Sequence, residues 1–149
     1  MCHILILEFT QLSSSDTRRI TYENTSASII EIIATKEAVH PLKSLDDLRN
    51  RLSAGRKRVF SVFHKLMPNQ PLVFVHVSLE SEVPSTMSQV MDGPSQIEEP
   101  SVAVFYSISN GHRGLAGVGL GEFLLKEAVK VGHCWNFLAF RRQNNGLTL

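Results

Sequence analysis

Residues 101 to 131, SVAVFYSISNGHRGLAGVGLGEFLLKEAVKV, limit the fold more than any other stretch, because they read as a buried strand running through a glycine-rich turn into an amphipathic helix. Strict alternation from Val102 to Ser109 places Val102, Val104, Tyr106 and Ile108 on one face and Ala103, Phe105, Ser107 and Ser109 on the other. Both rows begin apolar, which predicts an interior strand. Asn110, Gly111 and Gly114 break the alternation, and a helical period opens at Leu120, Phe123, Leu124 and Ala128. Gly117, Gly119 and Gly121 sit where the helix begins, so its unpaired N–H groups and partial positive charge can be approached closely by an anion such as phosphate. The plainer reading is that these glycines only turn the chain and let helix pack on strand. The local pattern leaves both open.

The chain has 149 residues and a net charge of +1, which suits one domain and gives no global field for nucleic acid or a membrane surface. No apolar run approaches the roughly 20 residues needed to cross a bilayer, so a soluble protein is expected. Cys2 and Cys134 lie near opposite ends without metal-ligand spacing, which predicts neither disulfide nor zinc site. His3 and His133 beside them read as coincidental. The first residues turn from an apolar run, Ile4 to Leu7, to Ser13, Ser14 and Ser15 without the basic start or cleavage pattern of a secretory signal.

Downstream, RRITYE at 18 to 23 reads as a short edge strand, followed by a helix capped near Ser26 and reaching about Ala38, with Ile29, Ile30, Ile32 and Ile33 as a broad buried stripe. Pro41 stops the chain. Ser44 with Asp47 resembles a capping box for a second helix carrying Leu45, Leu48 and Leu52, closed by Gly55. Arg56, Lys57 and Arg58 read as solvated surface before a strand, VFSVFHKL. MPNQP then turns the chain into PLVFVHVSLE, whose Val73, Val75, Val77 and Leu79 form one apolar face of an antiparallel hairpin. His76, on the opposite face with Leu72 and Phe74, reads as a packed histidine rather than a catalytic base. A short helix, STMSQVMDG, and a polar loop, PSQIEEP, complete an α+β plan with flanking helices on a mainly antiparallel sheet.

This order resembles the first half of the N-acetyltransferase (GNAT) fold, in which a central strand splays from its neighbour and the following turn and helix bind the pyrophosphate of coenzyme A. The usual turn has Arg or Gln, two residues, Gly, one residue, Gly. Here Ala116 stands in the Arg or Gln position, with Gly117, Val118, Gly119, Leu120 and Gly121 after it. The combination of EAVHPLKSLDDLRNRL, PLVFVHVSL, and FYSIS followed by GLAGVGLGEFLLK resembles more closely the catalytic domain of malonyl-CoA decarboxylases, themselves GNAT-fold enzymes. The resemblance covers residues 18 to 131 and leaves 1 to 17 and 132 to 149 unmatched.

The resemblance implies conversion of malonyl-CoA to acetyl-CoA and carbon dioxide, with CoA as part of the substrate and no further cofactor. It places CoA on Ala116, Gly117, Val118, Gly119, Leu120, Gly121 and Glu122, with charge from Arg113 or the basic triplet, and puts Ser107 of FYSIS in the active-site region. No metal, nucleic acid or membrane partner is expected.

The sequence also departs from the family pattern. Gly119 stands where the family commonly has glutamate, and neither an SPIPGF-type serine motif nor an NFHLxNG-type histidine motif occurs. The family's amino-terminal helical domain has no counterpart here. These departures lead to the expectation of an incomplete, inactive chain whose strand at 102 to 109 exposes an edge and favours self-association. A noncatalytic CoA-binding remnant and a GNAT acyltransferase are the alternatives. Related enzymes occupy mitochondria, peroxisomes and cytosol, and the terminal Leu-Thr-Leu leaves the compartment open.

Overall fold

The computed structural model describes residues 15–53, 55–115, 119–131 and 138–140. In chain order the elements are β1 (Ser15–Ile20), α1 (Ala27–Lys36), α2 (Leu45–Leu52), β2 (Lys57–His64), β3 (Val73–Glu80), α3 (Met87–Asp92), β4 (Val102–Asn110), a 3₁₀ turn (Arg113–Leu115), α4 (Leu120–Val131) and β5 (Leu138–Phe140). The strands form one sheet in the order β1-β2-β3-β4-β5. β1 to β4 are antiparallel neighbours, whereas β5 runs parallel to β4 and pairs only with Ala103, Val104 and Phe105.

The sheet is apolar on both faces. On one, Phe60, Val62, Val73, Val75, Val77, Ala103 and Phe105 meet Leu120, Leu124 and Ala128 of α4. On the other, Val59, Phe63 and Phe74 meet Ile29, Ile30 and Ile33 of α1 and Leu48 and Leu52 of α2. Each fully buried side chain of this kind contributes roughly 1.5–3 kcal/mol, so two covered faces fix the register of β2 and β3. Ser44 caps α2 by accepting the Asp47 N–H at 3.1 Å, and Thr86 with Gln89 forms a capping box on α3.

The expected alternation along β4 holds only to Phe105. Opposite His76 and Val77 the ladder shifts: His76 pairs with Ser107, but Val77 pairs with Phe105, so Tyr106 is an extra residue. Tyr106 stays with Val104 on the α3 side, and the slip brings Ser107 and Ser109 to that same side. Ile108 is turned to the α4 face, where it packs with Phe105. Ser107 and Ser109 therefore share a face with Tyr106, contrary to the sequence pattern.

Four other expectations change. The first strand is Ser15–Ile20 rather than 18 to 23. Gly55 does not close α2, whose C-cap is Ser53; a side chain at 55 would meet the Ser95 carbonyl. The edge of β4 is not left open as expected: β5 covers it at Ala103 to Phe105.

The basic triplet is not solvated surface. Arg56 and Lys57 are buried: Arg56 Nη1 donates to Glu80 Oε1, its Nη2 donates to Val90 O at 2.9 Å, and Lys57 Nζ donates to Met91 O at 2.8 Å. The two cations satisfy carbonyls at the end of α3 and the carboxylate of β3 together. Arg56→Met leaves Glu80 as an uncompensated buried charge and is expected to cost about 3–5 kcal/mol in urea unfolding. A loss below about 0.5 kcal/mol, typical of surface positions, would return Arg56 to the surface role its sequence context implies.

Candidate functional site

β4 leads out of the sheet through Gly111, whose N–H donates to Leu72 O at 2.9 Å. A Cβ there would lie 1.8 Å from Pro71 O, so only glycine lets the end of β4 close on the start of β3. The turn ends at Gly119, which has φ +73° and open space where a side chain would stand. The first bond of α4 runs from Phe123 N–H to Gly119 O at 3.4 Å, so the amides of Leu120, Gly121 and Glu122 precede it.

The predicted binding residues thus divide. Leu120 is buried in the core and offers only its backbone; Gly121 packs against Ile108 Cγ2; Glu122 is exposed and accepts from Lys126 Nζ at 2.9 Å, which lowers its pKa. Ala116, Gly117 and Val118 lie outside the described residues. Arg113 stands exposed just before the turn, whereas Arg56 and Lys57 are committed to α3 and Glu80.

Ser107 is buried on the opposite face from α4. Its hydroxyl donates to Glu37 Oε1 at 2.6 Å. Glu37 is the C-cap residue of α1, and its carboxylate gathers donors from three directions. Oε1 also accepts the backbone N–H groups of Val39 at 3.0 Å and His40 at 2.8 Å, and Oε2 accepts Ser109 Oγ at 3.3 Å. His76 Nε2 lies 3.1 Å from Oε2, close enough for an ion pair but outside good hydrogen-bond alignment. Burial opposes ionisation of Glu37, but His76, the His40 amide and Ser107 outweigh it and hold the pKa at about 2.

A second pair supports this cluster. Arg51, buried despite its charge, forks onto Asp47 through Nε at 2.9 Å and Nη2 at 2.8 Å, and its Nη1 donates to His40 O at 2.6 Å. The loop after α1 is thereby held from both sides, by Glu37 at its amides and by Arg51 at a carbonyl. The Tyr106 ring is tilted against those of His76 and His40, with centroids 5.7 Å and 5.9 Å away, and burial pushes its phenol pKa up. Burial likewise lowers His40, aided by Arg51 and His76 against the pull of Glu37.

The structure brings Ser107 to Glu37, His76 and Ser109, and leaves it on the other face of β4 from α4. Sequence reading gave Glu37 and Arg51 no role. A signal existed for Glu37: a carboxylate at a helix C-terminus faces the negative end of the helix dipole, so it needs compensating donors from elsewhere. Arg51 offered none, because an arginine four residues after an aspartate reads as an ordinary exposed pair. Among the described residues no group of three His, Cys, Asp or Glu side chains is placed to hold a metal ion.

The model of the malonyl-CoA decarboxylase C-terminal domain matches residues 15–132. Mitochondrial malonyl-CoA decarboxylase of Rattus norvegicus is 37% identical over 117 residues, 75% of this chain and 23% of the relative; that of Anser anser anser is 33% identical over the same shares. The chain therefore spans about a quarter of the length of these relatives. Solved malonyl-CoA decarboxylases from Agrobacterium vitis (TM-score 0.80, 34% identity, 91% of this chain and 34% of that one) and Rhodopseudomonas palustris (TM-score 0.77, 35% identity, 87% and 32%) have similar structures. An aminoglycoside acetyltransferase from soil metagenome superposes at a TM-score of 0.57 with 11% identity, over 88% of this chain and 79% of that one, a likeness of fold alone.

Glu37 makes the fold acid-sensitive in a defined direction. Its folded pKa, about 2, lies below the ordinary 4.5, so its contribution is full above the ordinary value and is lost as pH falls through about 2. The depression corresponds to about 3 kcal/mol. The drop in unfolding free energy between about pH 6 and about pH 3 is expected to be roughly 2 kcal/mol smaller in Glu37→Gln than in the parent chain, measured by urea unfolding at both pH values. Equal drops would remove Glu37 from the acid response.

Proposed function

The chain belongs to the malonyl-CoA decarboxylase family, and on that premise we propose that it carries the CoA-thioester-binding part of a site that converts malonyl-CoA to acetyl-CoA and carbon dioxide. The observation that carries this reading is the extent of the family match, residues 15–132, which takes in β4, the glycine turn and α4 together. In the reaction the bond to the carboxylate carbon breaks, carbon dioxide leaves, and the electron pair moves into the thioester enolate. Donors must then face the enolate oxygen, and an acid must protonate the new carbanion carbon.

The turn from Ala116 to Glu122 is assigned to the pyrophosphate, through the leading amides of α4 and the positive end of its dipole. The stretch of β4 beyond Phe105 is assigned to the thioester, with Ser107 at its acyl end. CoA is part of the substrate, and the proposed chemistry calls for no metal or organic cofactor. A second reading, CoA-thioester binding without turnover, is favoured for these 149 residues by a specific observation: the one proton of Ser107 is already held by Glu37, so this serine does not supply the proton or the oxyanion donor. The acyltransferase reading has only the shared fold behind it.

Isothermal titration with CoA tests the binding site. Affinity is expected to fall as salt rises, because the contact is between a diphosphate and an exposed positive helix end. Gly119→Val and Gly121→Val are each expected to weaken binding by at least about tenfold while the thermal transition is retained, since a branched side chain obstructs the backbone and strains it at the positive φ of Gly119. Unchanged affinity in both folded variants would sink the assignment of the turn.

Turnover is a separate measurement. Acetyl-CoA production from malonyl-CoA by the 149-residue chain is expected at least about 10²-fold below that of a complete family enzyme, the cost of lacking a positioned acid. Comparable turnover, lost in Ser107→Ala, would show that Ser107 performs the chemistry.

A further inference from the structure

The buried polar cluster beneath β4 has a feature that packing alone does not explain. Ser107, Ser109 and the amides of Val39 and His40 all donate to one carboxylate, Glu37, which is fully buried at the end of α1. A carboxylate accepts only, so the direction of each of these bonds is fixed: the Ser107 proton lies between Oγ and Oε1. What remains on Ser107 Oγ is a pair of acceptor positions. Replacing the whole set by apolar groups of similar volume would be the less costly way to fill a core, since an ionised carboxylate resists burial. The bulge at Tyr106 is what turns Ser107 toward Glu37 at all.

We propose that Glu37 is a positioning residue for Ser107, holding its hydroxyl proton so that Oγ meets the acyl end of the CoA thioester as a fixed hydrogen-bond acceptor. This rests on the placement of the acyl end made above. The ligand chemistry follows from the bond direction. An acceptor does not stabilise the enolate oxygen, so its partner is a donor beside the acyl group, and a water molecule held next to the thioester has the right chemistry. Ser107 on this account orients a donor and does not itself give up a proton. Four kinds of group face the Glu37 carboxylate: the Ser107 and Ser109 hydroxyls, the Val39 and His40 amides, His76 on β3, and through His76 the ring of Tyr106. His76 Nε2 lies behind the carboxylate, 3.1 Å from Oε2.

The experiment compares acetyl-CoA with CoA, neither of which carries the malonyl carboxylate, so that removing the Glu37 charge does not alter repulsion of the ligand. Affinities for both are measured on the 149-residue chain and its Ser107→Ala, Glu37→Leu and double variants, leucine having no oxygen to accept the Ser107 proton. Each single variant is expected to reduce the acetyl-CoA to CoA affinity ratio by roughly threefold to tenfold, the worth of one hydrogen bond, with the double variant no worse than either and CoA affinity unchanged throughout. A ratio that falls in Ser107→Ala but stays at the parent value in Glu37→Leu overturns the proposal and leaves the acyl-end placement standing. A ratio unmoved by Ser107→Ala overturns both.

Should Glu37→Leu fail to fold, the carboxyl ¹³C signal of Glu37 decides from the parent chain and Ser107→Ala. It is expected to report the ionised form down to about pH 3 in the parent and to titrate at higher pH without the Ser107 hydroxyl, because one donor to the charged form is gone. An identical titration in the two proteins overturns the proposal.

Discussion

One extra residue in β4 governs how the rest of the sheet is used. Both faces of the sheet are covered, so each strand has to present apolar side chains alternately up and down, and β4 does so from Val102 to Phe105. Continued alternation would have sent Ser107 and Ser109 under α4, into a hydrocarbon layer with no carboxylate to receive them. Inserting Tyr106 as a bulge reverses the phase. Ile108 then goes into the hydrocarbon and both serines go to Glu37. Among the described residues β5 pairs with β4 at Ala103 to Phe105, just before the bulge. Polar burial and helix packing along β4 are thus consequences of a single local shift.

Three charged side chains illustrate how burial is made tolerable. Glu37 is surrounded by short donors fixed on backbone or on β4, Arg51 by a bidentate aspartate and a carbonyl, and Arg56 by Glu80 and the carbonyls that end α3. Ser78 adds a hydroxyl to Glu80 at 2.7 Å. Each of the three also has a partner on another element or loop: β4 for Glu37, the loop after α1 for Arg51, and α3 and β3 for Arg56. These pairs tie loops and helix ends to the sheet: Arg51 secures the loop after α1 and Arg56 secures α3. Their contribution is to the uniqueness of the arrangement as much as to its stability.

The order and type of the elements from the first strand to α4 were legible from the sequence, because periods of 2 and 3.6 are local properties and the cap at Ser44 is written in adjacent residues; β5 was not. The family was legible from longer blocks, EAVHPLKSLDDLRNRL and FYSIS with its glycine turn. The faces of β4 were not, because a bulge is a property of a pair of strands and depends on what lies opposite His76. Arg56 and Lys57 were misjudged for a related reason: a run of cations reads as solvated until the carbonyls of a distant short helix are seen to meet it. Part of the predicted binding turn, Ala116 to Val118, lies outside the described residues.

The geometry also separates two tasks that the motif string presents as one. The leading amides of α4 belong to the face on which Leu120 and Leu124 pack, whereas Ser107 and Glu37 belong to the face under α1. On the proposed placement, a ligand touching both has to cross the edge of β4. CoA is long and has its diphosphate far from its thioester, so it suits a site whose anion-binding end and acyl end are held by different layers. On the proposed placement, anchoring at the turn would rest on backbone donors rather than on nearby side chains. Chemistry at the acyl end would depend on which oxygen holds which proton. The Glu37 carboxylate holds the Ser107 proton, so on that reading binding and chemistry rest on separate groups.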